Sequence, residues 1–311
     1  MSIVVLGSVF VDIKGYPSAA YIPAGRNAGR IRYVHGGVSR NIAEDIGNLE
    51  LRPIFIGLVD ETGVADEVLR KLNRHKVNTE YVRRVENGMG TWLAVFDNNN
   101  DVVASISSRP DLSPILRTLA EHGDEIFSRA DSILLELDME QEIIKEVFRL
   151  GEKYHRPVYA AISNMSIAMD RRDFFKRVDC IVCNREEAEI LFSAPFEDEA
   201  PGDIARQLSA NVQAAQIPAM VVTMGGAGAV WATREGGYGV CPATQVPVAD
   251  TTGAGDAFFA GVAAGLTYGK TLPEACDIGA RLAASVICTL DNTCPRFLPG
   301  EFGLKLPEEE S

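Results

Sequence analysis

Short runs of aliphatic and β-branched residues alternate with longer helical patterns along most of the 311-residue chain. Because strands and helices that alternate at this spacing form βαβ units, the pattern predicts a mostly parallel sheet with helices on both faces, an α/β/α fold of three layers. The expected strands are 3–10, 53–59, 132–136, 157–162, 180–183, 219–223 and 229–232. The expected helices are 38–49, 66–75, 141–155, 203–215 and 274–289.

Two stretches interrupt this alternation. Residues 91–96 and 102–106 flank a polar turn at 97–101, which is typical of a β-hairpin, and residues 12–17 and 30–34 are further short strand patterns. We therefore predict a small β-sheet, contributed by about 12–35 and 88–110, that covers a site as a lid. Since no linker rich in Pro, Gly or Ser separates the two parts, residues 1–311 are expected to form one domain.

The charge balance narrows the classes of partner. The chain has 43 Asp and Glu against 30 Lys and Arg, for a formal charge of −13. An acidic chain is repelled by nucleic-acid phosphates and by anionic membranes. No apolar run approaches the ~18 residues that a transmembrane helix needs, and the N-terminal apolar stretch lacks the basic region of a signal peptide. We expect a cytoplasmic protein with neither nucleic acid nor membrane as a partner.

The six cysteines include one CxxC pair, Cys180 and Cys183. This pair falls in an apolar run that is expected to be a strand, where residues three apart point to opposite faces. The two thiols are therefore not expected to bind one metal ion, and the cysteine spacing predicts no disulfide framework.

The strongest functional signal is Val248-Ala-Asp-Thr-Thr-Gly-Ala-Gly-Asp-Ala-Phe-Phe-Ala-Gly261, in which a strand-like segment leads through small residues into an apolar helix. Small residues at a helix N-terminus leave backbone N–H groups open to an anion, which the helix dipole also favours. Asp256 lies in the first helical turn, where it could accept a proton from a hydroxyl. The alternative is a glycine-rich turn before a helix whose first turn is acidic, as first turns often are.

Residues 250–261 resemble the C-terminal signature of the ribokinase-like (PfkB) carbohydrate and nucleoside kinases. The resemblance implies the ribokinase-like fold, ATP as phosphoryl donor and Mg²⁺ as cofactor. It also implies that Asp256 is the catalytic base and that Asp250 contributes to a site for a monovalent cation such as K⁺. The amides expected to form the anion hole are those of Gly253, Ala254 and Gly255.

The substrate side is expected near the N-terminus. His35-Gly-Gly-Val-Ser-Arg-Asn41 resembles the family's N-terminal signature, which implies that Gly36, Gly37 and Asn41 contact sugar hydroxyls. Asp12 ends the first predicted strand, at the edge where open α/β sheets bind ligands, and by resemblance it holds substrate hydroxyls as well. Without the resemblance, the Gly36-Gly37-Asn41 group is also compatible with a capped strand-to-helix turn, and Asp12 is equally compatible with an exposed turn residue.

The nucleotide side is expected at two further loops. Asn184-Arg-Glu-Glu187 follows a strand and resembles the family's N-x-x-E motif, which implies that Asn184 and Glu187 organise Mg²⁺, through water, and the phosphates. The same residues have the spacing of a helix capping box. Thr223-Met-Gly-Gly-Ala-Gly228 resembles a nucleotide-contacting loop, with Thr223, Gly225 and Gly228 as contacts, although a glycine turn between paired strands has the same appearance.

The hypothesis is a kinase that transfers the γ-phosphate of ATP to a ribose-type hydroxyl. Residues 7–16, 27–32 and 36–43 are similar to the pseudouridine kinases of the family, which favours the 5′-hydroxyl of pseudouridine as acceptor and adds Arg40 to the substrate contacts. Ser107 and Ser108 stand where those kinases tend to keep an Asn-Asp pair.

The alternatives are a kinase for a free sugar, a sugar acid or another nucleoside, and a catalytically silent sensor. Pairing of an exposed lid edge predicts a homodimer.

Overall fold

The computed structural model describes residues 2–99, 101–196 and 200–305, with the side chain of Arg171 left out. The polar turn expected at 97–101 includes Asn100, which lies outside the described residues. Thirteen strands are formed in this part of the chain: β1 Ile3–Gly7, β2 Phe10–Pro17, β3 Gly29–Gly36, β4 Ile54–Val59, β5 Arg83–Arg84, β6 Gly90–Phe96, β7 Val102–Ser108, β8 Ser132–Glu136, β9 Val158–Ala161, β10 Cys180–Asn184, β11 Ala219–Thr223, β12 Ala229–Thr233 and β13 Tyr238–Cys241.

The α-helices connect these strands, and most of them are amphipathic. They are α1 Val38–Asn48, α2 Gly63–Arg74, α3 Ile115–Arg129, α4 Gln141–Tyr154, α5 Met165–Ala168, α6 Arg172–Phe175, α7 Arg185–Phe192, α8 Pro201–Ala215, α9 Ala254–Thr267 and α10 Leu272–Ile287. Three short 3₁₀ turns complete the described secondary structure, at Met169–Arg171, Gly225–Ala227 and Pro299–Phe302.

Nine strands form the large sheet, in the order β13-β12-β11-β10-β9-β8-β1-β4-β5. The seven strands from β11 to β5 are parallel, and β12 and β13 add an antiparallel edge. One apolar core lies against α1, α2, α9 and α10, and the other lies against α3, α4, α7 and α8. Helices therefore cover both faces of the sheet, and the predicted three-layer α/β/α fold is confirmed.

The CxxC pair behaves as an ordinary part of this sheet. Cys180 and Cys183 are both buried in β10, both thiols are free, and each belongs to a different one of the two cores. The two side chains thus point to opposite faces of the strand, as the two-residue period of a strand requires. Burial raises the pKa of both thiols, which makes a thiolate ligand unfavourable.

A second sheet of four strands, in the order β3-β2-β6-β7, stands beside the large one. Strand β2 is antiparallel to β3 and parallel to β6, and β6 and β7 form the expected hairpin. We call these four strands the small sheet. One of its faces carries Asp12 and Lys14, which are buried against the rest of the molecule. Its opposite face carries large apolar side chains that are exposed, such as Tyr33 and Ile106.

Most predicted boundaries agree with the observed ones to within two or three residues, as for β8 and α1. The largest difference is at the N-terminus, where the expected strand 3–10 is two strands that belong to different sheets. The chain changes sheets at Ser8 and Val9, and Gly7 just before them has a φ of 153°. Within the described residues, none of the helices is long and apolar enough to cross a membrane.

Candidate active site

Asp256 lies in the first turn of α9 and is the carboxylate at the centre of the site. Its Oδ2 accepts a hydrogen bond of 2.7 Å from Nδ2 of Asn41 on α1. Burial raises the pKa of Asp256 to about 7, and the nearby Glu136 and Asp12 carboxylates add to the increase. The Asn41 hydrogen bond and the Arg40 guanidinium act in the opposite direction. A carboxyl group with a pKa near neutrality can both take and release a proton under ordinary conditions.

The loop before α9 exposes backbone N–H groups at the helix N-terminus. Gly253 caps the helix with a φ of 85°, a left-handed conformation that favours glycine. The N–H of Ala254 donates to the carbonyl of Thr251 at 3.2 Å, and the first helical bond runs from Ala257 to Gly253. Among the described hydrogen bonds, the N–H groups of Gly253 and Gly255 have no acceptor. A Cβ on Gly255 would meet no atom within 4 Å, so the backbone is open on that side.

Asp12, Gly36 and Gly37 come together where the small sheet meets α1. A Cβ on Gly36 would lie 2.5 Å from a carboxylate oxygen of Asp12, so the absence of a side chain there makes room for that carboxylate. Gly37 is the N-cap of α1 with a φ of 99°. Burial raises the pKa of Asp12, while Lys14 and Arg40 lower it. These contacts bring the expected substrate residues to within reach of one small ligand.

Arg40 does not lie where the sequence analysis expected it. Its side chain is fully buried, pairs with the buried Glu44 one turn later on α1, and donates to the backbone carbonyls of His35 and Gly36. Arg40 thus lies behind the Gly36-Gly37 turn, where these partners already occupy its guanidinium. The helical period explains the difference: Arg40 and Glu44 share one side of α1, and Asn41 lies about 100° away from Arg40 around the helix axis.

Lys14 is a site residue that the sequence analysis missed. Its buried Nζ donates to Oγ1 of Thr252 at 3.1 Å and lies 3.8 Å from Oδ2 of Asp250. It thereby ties β2 of the small sheet to the loop that precedes α9. The signal was available, because Lys14 follows Asp12 by two residues on a strand and must face the same way.

A cavity of about 340 Å³ lies next to the N-terminus of α9, at the loop where the sequence analysis expected the nucleotide. Its wall is formed by Thr223 and the glycine loop after β11, by Ala254 and Gly255, and by apolar side chains of α9 and α10. The loop joins the antiparallel strands β11 and β12. Locally it is therefore a glycine turn between paired strands, which was the alternative interpretation of its sequence. Thr223, Gly225 and Gly228, which the sequence analysis named as nucleotide contacts, all line this cavity, as do Ala254 and Gly255 of the expected anion hole.

Asn184 and Glu187 form the capping box that their spacing allowed. The Asn184 side chain accepts from the N–H of Glu187 at 2.8 Å, and Glu187 Oε2 accepts from the N–H of Asn184 at 2.8 Å. Burial raises the pKa of Glu187, and the neighbouring Asp138 carboxylate raises it further. Structural capping therefore coexists with a pair of carboxylates at the carboxyl edge of the sheet.

Asp138 and Glu187 are the candidate pair for a Mg²⁺ ion. Across residues 2–99, 101–196 and 200–305, no group of three or more His, Cys, Asp or Glu side chains is arranged to hold a metal ion. Mg²⁺ does not require such a group, because it usually keeps several waters and takes one or two carboxylates together with substrate phosphates. Asp138 and Glu187, whose charges disfavour each other, supply such a pair.

Buried polar side chains support this edge of the sheet from behind. Glu136, at the end of β8, accepts hydrogen bonds from the hydroxyls of Ser8, Ser39 and Ser163. Ser163 also donates to Asp138, and Asp138 pairs with Arg109, which follows β7 of the small sheet. Sequence reasoning missed Glu136 and Asp138, although both lie at or just after the carboxyl end of a predicted strand, where open α/β sheets bind ligands.

An open α/β sheet whose carboxyl strand ends meet a helix N-terminus with open N–H groups is an architecture that binds phosphorylated small molecules. Comparison with protein families identifies the class of protein. The model of the "pfkB family carbohydrate kinase" matches residues 1–294, and the chain belongs to that family. It is accordingly a kinase that acts on a hydroxyl group of a sugar or nucleoside, as the sequence resemblance implied.

Individual relatives agree with this assignment. The chain is 32% identical to a guanosine-inosine kinase from Exiguobacterium acetylicum over 93% of this chain and 95% of the relative. It is 26% identical to a pseudouridine kinase from Escherichia coli over 88% and 86% of the two chains. A solved structure of Arabidopsis thaliana ribokinase with ribose and ATP has a TM-score of 0.80 at 20% identity and covers 98% of this chain and 99% of that chain, which establishes the shared fold.

Proposed function

We propose that the protein transfers the γ-phosphoryl group of ATP to the 5′-hydroxyl of a ribonucleoside. The observation that carries the proposal is the position of Asp256, which is hydrogen-bonded to Asn41 and lies at a helix N-terminus between the substrate residues and the nucleotide cavity. Of the relatives described above, the two with the substantial identities are nucleoside kinases.

In this proposal, Asp256 takes the proton of the 5′-hydroxyl as the hydroxyl oxygen attacks the γ-phosphorus. A new P–O bond forms to the nucleoside, the bond between the γ-phosphorus and the bridging oxygen breaks, and ADP leaves. The open N–H groups at Gly253 and Gly255 stabilise the negative charge on the transferring group. The nucleotide occupies the cavity lined by Thr223, Gly225 and Gly228.

Substrate orientation is assigned to the Asp12 and Asn41 side chains and to the Gly36-Gly37 backbone. Asp12 is a buried acceptor next to Gly36, and this combination suits ribose hydroxyl groups that lie close to the backbone. Mg²⁺, held by Glu187 and Asp138 through water, would neutralise phosphate charge when bound. The small sheet, which we propose as the lid, would exclude water that could otherwise accept the phosphoryl group.

The face of the small sheet that carries Asp12 supports a nucleoside over a free sugar. Trp92 on β6 pairs with Asp12 in register, and Ser107 on β7 pairs with Trp92, so the three residues form one row across the sheet. Tyr16 and Phe96 stack further along the same face with ring centroids 4.8 Å apart. An aromatic surface next to a ribose site matches the flat, apolar face of a nucleobase.

The base is proposed to be a purine, as in guanosine or inosine. The relative at 32% identity is a guanosine-inosine kinase, and the small Ser107 beside Trp92 leaves room for a bicyclic base. Pseudouridine is the second candidate, because the segments at 7–16, 27–32 and 36–43 are similar to pseudouridine kinases. The Ser107-Ser108 pair, in place of the Asn-Asp pair of those kinases, weighs against it.

The test is ADP release in the presence of ATP and Mg²⁺ with guanosine, inosine, adenosine, uridine, pseudouridine, ribose and fructose. We expect kcat/KM to be highest for a purine ribonucleoside and to fall by at least tenfold for free ribose. A preference for pseudouridine would overturn the purine assignment alone. A preference for a free sugar would overturn the nucleoside proposal but leave the kinase assignment intact.

The Asp250 carboxylate, which was expected to contribute to a site for a monovalent cation, has a positively charged neighbour of its own. The carboxylate is present, but the buried Lys14 ammonium already lies 3.8 Å from it. We expect kcat to depend weakly on K⁺ for this reason, with less than a threefold decrease when K⁺ is replaced by N-methylglucamine at constant ionic strength. A decrease in kcat of tenfold or more would contradict this expectation and would show that turnover requires a bound monovalent cation in addition to Lys14.

A further inference from the structure

The segment after α10 lies between α1 and the loop before α9, and Asn292 is its innermost side chain. Asn292 is buried, and its backbone is packed so closely against Gly253 that a Cβ there would be 2.1 Å from the Asn292 carbonyl oxygen. The side chain reaches the opposite way, towards His35, Arg40 and Asn41. Nothing in the proposed reaction uses this residue.

The two ends of the Asn292 amide are distinguished by partners that cannot exchange roles. Nδ2 donates to the backbone carbonyl of His35 at 2.7 Å, and a carbonyl oxygen can only accept. Oδ1 lies 3.5 Å from the Arg40 guanidinium, which can only donate. The orientation of the Asn292 amide therefore follows from chemistry and does not depend on how its oxygen and nitrogen are assigned in the coordinates.

The fixed Asn292 amide in turn distinguishes the two ends of Asn41. Its Nδ2 also donates to Oδ1 of Asn41 at 3.2 Å, so the Asn41 oxygen is held on that side. The Asn41 nitrogen must then face Asp256, to which it donates at 2.7 Å. A donor pointed at a carboxylate favours its ionised form, whereas the flipped amide would present an oxygen and favour the protonated form.

We infer that Asn292 is a positioning residue that fixes which end of the Asn41 amide faces Asp256. Arg40 is the first member of this series of contacts, which gives a role to a buried arginine that does not reach the substrate. The inference rests on the proposed function for its effect on turnover, since that effect requires Asp256 to act as a base. Its effect on the Asp256 carboxyl group itself does not depend on turnover.

Several charged groups face Asp256 and must be held constant in a test. They are Glu136 at the end of β8, Asp12 on β2 and Arg40 on α1. A charged replacement at position 292 would add to this set and shift the titration by itself. The informative change is therefore Asn292→Leu, which keeps the approximate shape of asparagine and removes both its donor and its acceptor. Asn292→Ala is the second variant in case the leucine variant does not fold.

The direct measurement follows the side-chain carboxyl carbon of Asp256 by NMR in protein labelled with [¹³C]aspartate, with the signal assigned by its loss in Asp256→Asn. We expect its titration midpoint to lie higher in Asn292→Leu than in the wild type, because Asn41 is free to turn. In steady-state assays, kcat should fall about threefold to tenfold, the range that one hydrogen bond spans, with nucleoside KM within twofold of wild type.

The matched control is Thr293→Val, one residue further along the same segment. Thr293 donates to Glu44 at 2.9 Å, and Glu44 pairs with Arg40. The variant therefore removes a neighbouring buried hydrogen bond but keeps the contacts of Asn292 with His35, Arg40 and Asn41. We expect this variant to leave both the titration midpoint and kcat unchanged. An unchanged midpoint in both Asn292→Leu and Asn292→Ala would overturn the inference, as would an equal change in Thr293→Val.

The base role of Asp256 and the positioning role of Asn292 can be refuted separately. If Asp256→Asn keeps near-wild-type turnover, the base role is wrong, and the NMR midpoint still decides whether Asn292 orients Asn41. If Asp256→Asn is inactive but the Asn292 variants titrate like the wild type, the base role remains and the positioning role is wrong.

Discussion

Asp256 is surrounded by charged and polar groups whose influences oppose each other. Burial and the carboxylates of Glu136 and Asp12 favour its protonated form, and the Asn41 donor and the Arg40 guanidinium favour the ionised form. The outcome is a carboxyl group whose pKa is raised from the ordinary value of 3.8 to about 7. A general base is most effective when its pKa lies near the working pH, so this balance suits the proposed role.

The pH dependence of activity follows from the direction of this shift. A base works only when it is unprotonated, and a carboxyl with a raised pKa is unprotonated only above that pKa. We expect kcat/KM for the nucleoside to rise with pH through a midpoint near 7 and then to level off, measured between pH 5.5 and 8.5.

The control for this profile is Asp12→Asn, because burial raises the pKa of Asp12 as well. If Asp256 sets the profile, this variant should lose activity through a higher KM and still show a rise with pH, at a lower midpoint because the Asp12 carboxylate no longer raises the pKa of Asp256. A profile that is flat from pH 5.5 upwards in the wild type would contradict the raised pKa of the base. Disappearance of the rise in Asp12→Asn would assign it to Asp12.

Single residues were predictable where a local pattern defines their role. Asp256 and the glycines before it stand in one short motif, and so do Gly36, Gly37 and Asn41. Lys14, Asp138 and Asn292 were not found, because their roles come from contacts between separate segments, 25 and 29 residues apart for Asp138 and more than 200 residues apart for Lys14 and Asn292. The burial of Arg40 was not predicted, because its pairing with Glu44 one turn later on α1 is not visible in the motif around Asn41.

At the scale of elements, two separate polar contacts attach the small sheet to the rest of the molecule. Lys14 on β2 reaches the loop before α9, and Arg109 after β7 pairs with the buried Asp138 at the edge of the large sheet. The first contact ends at Thr252, directly before the glycine that caps α9, and the second ends at Asp138, which the proposal assigns to Mg²⁺. Closure of the small sheet over the cleft is therefore expected to be sensitive to the bound nucleotide.

The pair formed by Arg109 and Asp138 gives a stability prediction. Removing one partner of a pair leaves the other charge buried, and because Arg109 is about one-third exposed we expect Arg109→Ala to lower the free energy of unfolding by about 1–2 kcal/mol. Urea denaturation measures this difference. Arg117→Ala is the control, since Arg117 pairs with Glu121 on the surface, where solvent screens the pair, and its loss should cost clearly less. Equal losses in the two variants would contradict the prediction.

Predictability also differs between elements. Strands such as β8 and β11 matched their patterns because they are short, apolar and buried on both faces. Helix α3 was missed although it is 15 residues long, because the polar residues in its sequence obscure the apolar side that faces the core. Strand β13 was missed because only one of its four residues is buried, so its position depends on β12 and not on its own sequence.

At the scale of the whole molecule, the outer face of the small sheet exposes large apolar side chains that a second copy of the protein could cover. Tyr33, Ile13, Leu93 and Ile106 are neighbours in register and form an apolar row across all four strands. Tyr33 and Ile106 are exposed at 70% and 69%. The sequence analysis expected a homodimer through a lid edge; we now propose that two copies meet through this face.

This proposal predicts a dimer in solution. We expect sedimentation velocity of the wild type at micromolar concentration to show a species of twice the chain mass, and Ile106→Glu to shift it to the monomer, because a charge cannot be buried in an apolar contact without a large cost. Tyr238→Glu places the same charge on an exposed strand elsewhere and should leave the dimer intact. A monomeric wild type at these concentrations would rule out the interface.

The most direct test of the account as a whole is a single comparison between the wild type and Asp256→Asn, with ATP, Mg²⁺ and the preferred nucleoside. Asparagine keeps the shape of aspartate but cannot accept the proton. The account predicts that kcat falls by about 10²–10⁴ while the nucleoside Kd, measured by calorimetry, stays within about threefold of the wild-type value. A variant that retains more than about a tenth of the wild-type kcat would show that the hydroxyl proton goes elsewhere, and the proposed mechanism would be wrong.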